Sequence, residues 1–396
     1  MFLKKFTKNL PPAFTALLIS TSLLFLNACK SEEKKDETAS AQIAANDSTS
    51  TKPVVIGYVG GFRGLINTDR IEVDKLTHIN YAFVDVQKGK AFLTNEKTDS
   101  TNFRKLKLLK KKNPDLKILI SLGGWTWSEN FSDAVLTADS RKIFAASAVD
   151  IIKKYNLDGV DIDWEYPGMA GEDGNVFRKE DKQNFTLMFE AIRKELDTFE
   201  KESGKQKLLT TAVPGFTSFL KVVEMGKAAA FLDYVNMMTY DLFQGDTAVH
   251  HAALYNSDIY KASHSVDNAV KAFSAEGVPM NKLVVGLPFY GRMFRVAKLD
   301  KGLGQKHIKQ DYVDGYTMIK DSLINKKGFK EYRDKTAKAP YLLNATTGDV
   351  LSYDDEQSVH DKCQYVLDKK LAGVMFWEYD SDLKTYLLDE IDKSFK

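Results

Sequence analysis

The chain has 396 residues, enough for one large domain or two ordinary ones, with 43% hydrophobic and 28% charged side chains, the composition of a globular protein. Its 56 basic residues exceed its 54 acidic ones by only two, so net charge gives no reason to expect a nucleic-acid partner. Two cysteines exclude a disulfide framework.

The chain opens with a targeting pattern. Lys4, Lys5 and Lys8 precede the apolar run in "AFTALLISTSLLFLNAC", which is too short to span a membrane comfortably. Residues 1–28 are therefore expected to be a secretory signal. "LNAC" resembles a bacterial lipobox, where cleavage before Cys29 leaves its thiol to be acylated. A plain signal peptide that happens to contain a cysteine is the competing reading. Residues 29–52 continue as "CKSEEKKDETASAQIAANDSTSTK", small and charged, which predicts a disordered tether. The acidic run soon after Cys29 resembles surface-export signals of some Gram-negative lipoproteins. An exported envelope lipoprotein at the outer membrane or cell surface, or else a secreted protein, is the expectation.

From residue 53 to 396 apolar, β-rich runs alternate with helical patterns. The runs are "VVIGYVG" (54–60), "HINYAFVDV" (78–86), "KILISLGG" (117–124), "GVDIDWEY" (159–166), "LLTTAVPG" (208–215), "YVNMMTYD" (234–241), "KLVVGLPFYGR" (282–292) and "GVMFWEYD" (373–380). Helical patterns cover 102–112, 139–155, 181–203 and 265–277. Eight such alternations predict a (β/α)8 TIM barrel. A doubly wound open sheet is the alternative, but no Gly-rich phosphate loop follows the first strand. The seventh connection is too long for a βα loop. With a helical stretch at 316–323 and a hairpin at 339–355 turning at Thr347-Gly348, it predicts a small α+β insertion over about 293–350. Cys363 falls in a helical pattern and is expected to be a small buried hydrophobe.

"DGVDIDWEYPG", residues 158–168, carries the chemistry. Strand alternation puts Asp161, Asp163 and Glu165 on one face and Val160, Ile162 and Trp164 on the other. In a barrel the carboxylates point inward, with Glu165 at the C-terminal end where barrel sites are built. Carboxylates so close cannot all ionise, so at least one holds a proton, and a protonated carboxyl at a groove mouth is a general acid. A solvated acidic face fails because the intervening residues are apolar. Metal binding stays open as an alternative, although the array lacks the glycine of a calcium loop and no histidine pair completes a transition-metal set. A purely structural acidic core is the third reading. Other strands end in matching chemistry. Gly123 and Gly124 let the backbone approach a ligand before Trp125 and Thr126, Tyr240 and Asp241 lie level with Glu165, and Tyr290 and Arg292 close the seventh strand. Trp125 and Trp377 are candidate stacking platforms.

These residues carry a family resemblance. "DGVDIDWE" matches the Asp-x-x-Asp-x-Asp-x-Glu signature of glycoside hydrolase family 18, the chitinases, and "SLGGW", "MTYD" and "YGR" are similar to its other strand motifs in the same order. The insertion ending in "LSYDDEQS" resembles that of the deep-groove branch. The resemblance implies that Glu165 is the acid and then the base, while the substrate's own 2-acetamido oxygen is the nucleophile. It implies that Asp163 hydrogen-bonds the acetamido N–H, alternating between Asp161 and Glu165, and that Tyr240 donates to the acetamido oxygen. Asp241, Met238 and Tyr166 would shape the sugar pocket, Trp377 its floor, and Trp125, Arg292, Phe83 and Tyr58 the groove. It implies a retaining chitinase acting on chitin or chitooligosaccharides, with no cofactor and no metal. We also expect a monomer that meets a membrane only through its lipid. Strand one continues as "YVGGFRG", without the Trp many chitinases carry there, so a weaker distal subsite is expected. No carbohydrate-binding module is visible after the tether. An endo-β-N-acetylglucosaminidase acting on N-glycans and a non-catalytic chitin lectin are the alternatives. The lectin reading is disfavoured because Glu165 is present.

Overall fold

The structure, a computed structural model, describes residues 52–299 and 302–396. The expected signal, Cys29 and all but the last residue of the tether lie outside the described residues. Eight parallel strands carry the fold: β1 Val54–Gly60, β2 His78–Gln87, β3 Lys117–Gly123, β4 Gly159–Asp163, β5 Leu208–Pro214, β6 Tyr234–Met238, β7 Leu283–Pro288 and β8 Gly373–Trp377. Each pairs with the next in sequence, and β8 pairs with β1. The sheet closes into the expected (β/α)8 barrel. Its strands are buried on both faces, which is why they read as almost unbroken apolar runs.

Helices form the outer layer. The one at Asp181–Ser203 buries Phe185, Met188, Phe189, Ile192 and Leu196, a stripe of helical spacing turned to the sheet. The one at Ala138–Tyr155 starts at a reciprocal Thr137–Ser140 cap and stops at Asn156 in the left-handed region. The helix before β3 runs Glu96–Leu109, starting ahead of the apolar pattern. There Asn95 caps a polar first turn, its side chain accepting the Thr98 N–H at 3.2 Å.

Between β7 and β8 the chain builds a five-stranded antiparallel sheet from Gly291–Val296, His307–Val313, Phe329–Asp334, Ala339–Asn344 and Asp349–Ser352, with a helix at Tyr316–Ser322. Its hairpin closes on the Asn344–Asp349 pair, with Gly348 at φ +74. The turn is therefore two residues longer than Thr347-Gly348 alone. A second long connection, residues 239–265, contains no helix or strand and gave no periodic signal.

Candidate active site

β4 ends sooner than its sequence pattern. Asp163 is its last residue because the backbone of Glu165 leaves the ladder for side chains: its N–H donates to Ser128 Oγ at 2.9 Å, and its carbonyl accepts from Asn175 Nδ2 at 3.2 Å. The alternation nevertheless holds. Trp164 points outward and stacks on Phe131 at 5.3 Å, while Asp161, Asp163 and Glu165 point inward at 0, 4 and 9% exposure.

The three carboxyls occupy different environments. Register sets Ser121 of β3 and Thr210 of β5 beside Asp161. Asp161 accepts from Tyr58 Oη at 2.9 Å, Ser121 Oγ at 2.7 Å, Thr210 Oγ1 at 2.5 Å and Asn236 Nδ2 at 3.3 Å. Burial lifts its pKa, and these four donors oppose the lift. Asp163 has an Oδ1 that is buried without any hydrogen-bond partner. Burial first, then the charges of Glu165 and Asp161, push its pKa well above the usual carboxylate value. Glu165 is lifted to about 7 by burial, with a hydrogen bond from Tyr166 pulling it down and the Asp241 charge pushing it up. A carboxyl poised there can give and retake a proton near neutrality.

Asp241 shows the opposite behaviour. Burial would raise it, but hydrogen bonds from His251 and Arg292 outweigh burial and bring it to about 2. Arg292 grips it bidentately at 2.7 and 2.5 Å, and His251 Nδ1 lies 3.2 Å away. The guanidinium is itself enclosed by Tyr312, Tyr290 and Phe243, at 5.1, 5.3 and 5.4 Å from their ring centres. Asp241 is thus a fixed anion beside two carboxyls that share protons.

Aromatic rings surround this centre. Tyr58, Met238, Tyr166, Tyr240, Phe83 and Trp377 belong to one cluster in the barrel interior. Trp377 lies 5.5 Å from Phe83, nearly parallel at 19°. Trp125 is 48% exposed and meets Tyr166 edge-on at 6.3 Å; Thr126 beside it is also exposed. Tyr58 and Tyr290 are each 2% exposed and lie beneath the others, Tyr58 bonded to Asp161 and Tyr290 packed against Tyr240 at 5.9 Å. The two glycines also serve a close approach within the protein. A Cβ on Gly123 would stand 2.2 Å from the Asp163 carbonyl, and one on Gly124 would stand 2.6 Å from the Phe83 ring. Their close approach is to the protein's own site, and both have positive φ.

Sequence reasoning passed over several neighbours. Phe62, in the stretch noted for its missing Trp, is nearly parallel to Phe83 and Trp377, with ring centres 6.3 Å from each. Trp127 packs on Phe62 and Phe83 at 6.0 and 5.8 Å; its signal was the second Trp of "WTW". Buried Glu378 is ion-paired with Arg63 beside this cluster. His251, next to His250 in the chain, lies in a stretch without strand or helix periodicity. Among the described residues, no three or more His, Cys, Asp or Glu side chains are grouped to hold a metal ion.

The family model for glycosyl hydrolases family 18 matches residues 54–382. Chitinase A1 of Niallia circulans is 36% identical, over 85% of this chain and 58% of its own length, so the chain spans little more than half of that relative. The structure resembles chitinase ChiA74 from Bacillus thuringiensis with a TM-score of 0.82 and 34% identity, covering 87% of this chain and 70% of that one. It also resembles a family 18 N-acetylglucosaminidase from Paenibacillus barengoltzii with a TM-score of 0.80 and 38% identity, covering 86% of this chain and 99% of that one. The chain belongs to the glycosyl hydrolases of family 18.

Proposed function

We propose that this chain is a chitinase that hydrolyses β-1,4 bonds between N-acetylglucosamine units with retention, using the substrate's acetamido group as nucleophile. Glu165 gives its proton to the glycosidic oxygen as the bond to the anomeric carbon breaks. The acetamido carbonyl oxygen attacks that carbon and closes an oxazolinium ring. Asp163 accepts the acetamido N–H and balances the positive charge, and Tyr240 donates to the acetamido oxygen. Glu165, now a carboxylate, takes a proton from water, whose oxygen opens the ring.

One observation carries this reading: a buried, unpartnered Asp163 oxygen lies beside a carboxyl titrating near neutrality. An oxygen left unsatisfied inside a protein costs stability unless something completes it, and a substrate amide would do so. The names of the relatives support chitin as the substrate.

A second reading rests on the neighbour named as an N-acetylglucosaminidase, in which single N-acetylglucosamine units are released. Product analysis on chitin oligomers, run beside an N-glycoprotein, separates the readings. Chitobiose and longer fragments support the chitinase. Monomers alone support the second reading. Glycan release without oligomer cleavage would make the chain an endo-β-N-acetylglucosaminidase, and binding without cleavage would make it a lectin.

We further propose that Cys29 is acylated and holds the protein at the cell envelope. The mature protein should then fractionate with membranes, and Cys29→Ser should release it or leave an unprocessed precursor. A wild-type protein wholly soluble and free of lipid by mass spectrometry would overturn this.

A further inference from the structure

Eight parallel strands begin on one face of the barrel, and the segments entering β3, β5 and β8 carry exposed lysines. Between residues 110 and 117, leading into β3, stand four lysines against one aspartate. Lys111, Lys112 and Lys117 are exposed there, as are Lys205 before β5 and Lys369 and Lys370 before β8. Lys110 is paired with Asp158 at 2.5 Å, and Lys207 turns inward to the Leu157 carbonyl at 3.1 Å. Lys110, Lys117 and Lys205 are close enough to act on Lys207. Burial holds Lys207 below the usual ammonium range, and the charges of Lys110, Lys205 and Lys117 add to this against Asp158. Exposed Glu72, Asp74, Asp115, Glu202, Glu276 and Asp368 lie on the same side of the barrel.

The chain itself enters on this face. Lys52 is exposed, and the Val54 N–H donates to Ala372 O at 2.9 Å, two residues beyond Lys370. Lys52, the first described residue, therefore lies on the same face as Lys370. Glu165, Asp241 and Glu378 belong to the opposite end, where the strands finish. The exposed lysines and the site thus lie at opposite ends of the barrel.

We propose that the lysine-bearing face docks on an anionic lipid surface, so that the groove opens away from it. Exposed lysines at the strand starts are attracted to acidic headgroups over roughly a Debye length, about 10 Å at moderate salt. The lysines lie at the end opposite the site, so their contact with the surface also sets the orientation. The docking does not depend on acylation of Cys29, because the lysines belong to the folded barrel.

The test is co-sedimentation of the full chain carrying Cys29→Ser with phosphatidylcholine vesicles, with and without phosphatidylglycerol. We expect about tenfold or greater preference for the vesicles containing phosphatidylglycerol at low salt, lost as salt rises. Reversing four exposed lysines together (K111E, K112E, K205E and K370E) should abolish the preference while leaving thermal unfolding unchanged. A soluble quencher should reach Trp125 equally in free and vesicle-bound protein. Equal partition onto both vesicle types, binding indifferent to salt, or undiminished preference in the reversed variant overturns the docking. Capture of heparin at these lysines without any vesicle preference would make the face a polyanion site and overturns it too. Shielding of Trp125 on vesicles overturns the orientation.

Discussion

Two layers of the barrel interior, one strand period apart, treat the same side chain in opposite ways. Around Asp161 four donors from four different strands converge on one carboxylate. Around Asp163 and Glu165 the protein supplies almost nothing to the Asp163 side chain, and one oxygen is buried alone. A satisfied carboxylate in a dry interior is a structural element. An unsatisfied one is held in a costly state by the fold around it, and it gains when a ligand supplies the missing donor. The difference sets Asp161 apart from Asp163 and Glu165, the pair on which the proposed mechanism acts.

Substitutions can break or sharpen that division. The largest effect is expected at Glu165→Gln, which keeps shape and hydrogen bonding but removes the transferable proton. Initial rates on chitotetraose should fall by about 10²–10⁴ with binding retained, and a near wild-type rate would remove Glu165 from the role of acid. Asp163→Asn should cost on the order of 10² in kcat, the scale for losing one preorganised polar contact to a charged transition state. The same substitution should not cost stability. Asp163 and Glu165 both hold protons more tightly when folded than unfolded, so their contribution declines as pH rises above the ordinary carboxylate range. Asp163→Asn should therefore raise the melting temperature more at about pH 8 than at about pH 5. A loss of stability that grows with pH would contradict the division.

The wild-type pH profile offers a smaller effect. As the proposed acid, Glu165 must be protonated to act, and burial lifts it to about 7, so the rate should drop about tenfold per pH unit on the alkaline side of that value. An alkaline limb starting near pH 5 would mean that the acid is not lifted. The smallest catalytic effect is expected in the lower layer. Thr210→Val removes one donor from Asp161 and should cost about 1–3 kcal/mol of stability, seen as a lower melting temperature, with little change in kcat. A large kcat loss with unchanged stability would join Asp161 to Asp163 and Glu165.

Much of this was legible from the chain alone. Strands buried on both faces produce long apolar runs, and a period of two on β4 already separated carboxylates from Trp164. What could not be read was convergence. Tyr58, Ser121, Thr210 and Asn236 are ordinary polar residues on four separate strands, and only barrel closure and register bring them to Asp161. His251 sits in a connection without periodicity, so nothing linked it to Asp241. Phe62 was hidden for a similar reason: its partners Phe83 and Trp377 come from β2 and β8, brought beside β1 only when the barrel closes. The early end of β4 was also invisible, since Ser128 and Asn175 take the Glu165 backbone groups from outside the strand.

The nucleophile is the centre of the account, and partly deacetylated chitosan tests it most directly. If the attacking oxygen belongs to the substrate, the sugar on the non-reducing side of each cut must carry an N-acetyl group, because losing that neighbour forfeits an intramolecular advantage that can reach ~7–11 kcal/mol. Digestion followed by NMR of the new reducing ends should show N-acetylglucosamine, formed first as the β-anomer. Abundant glucosamine at those ends, or the α-anomer appearing first, would contradict substrate assistance.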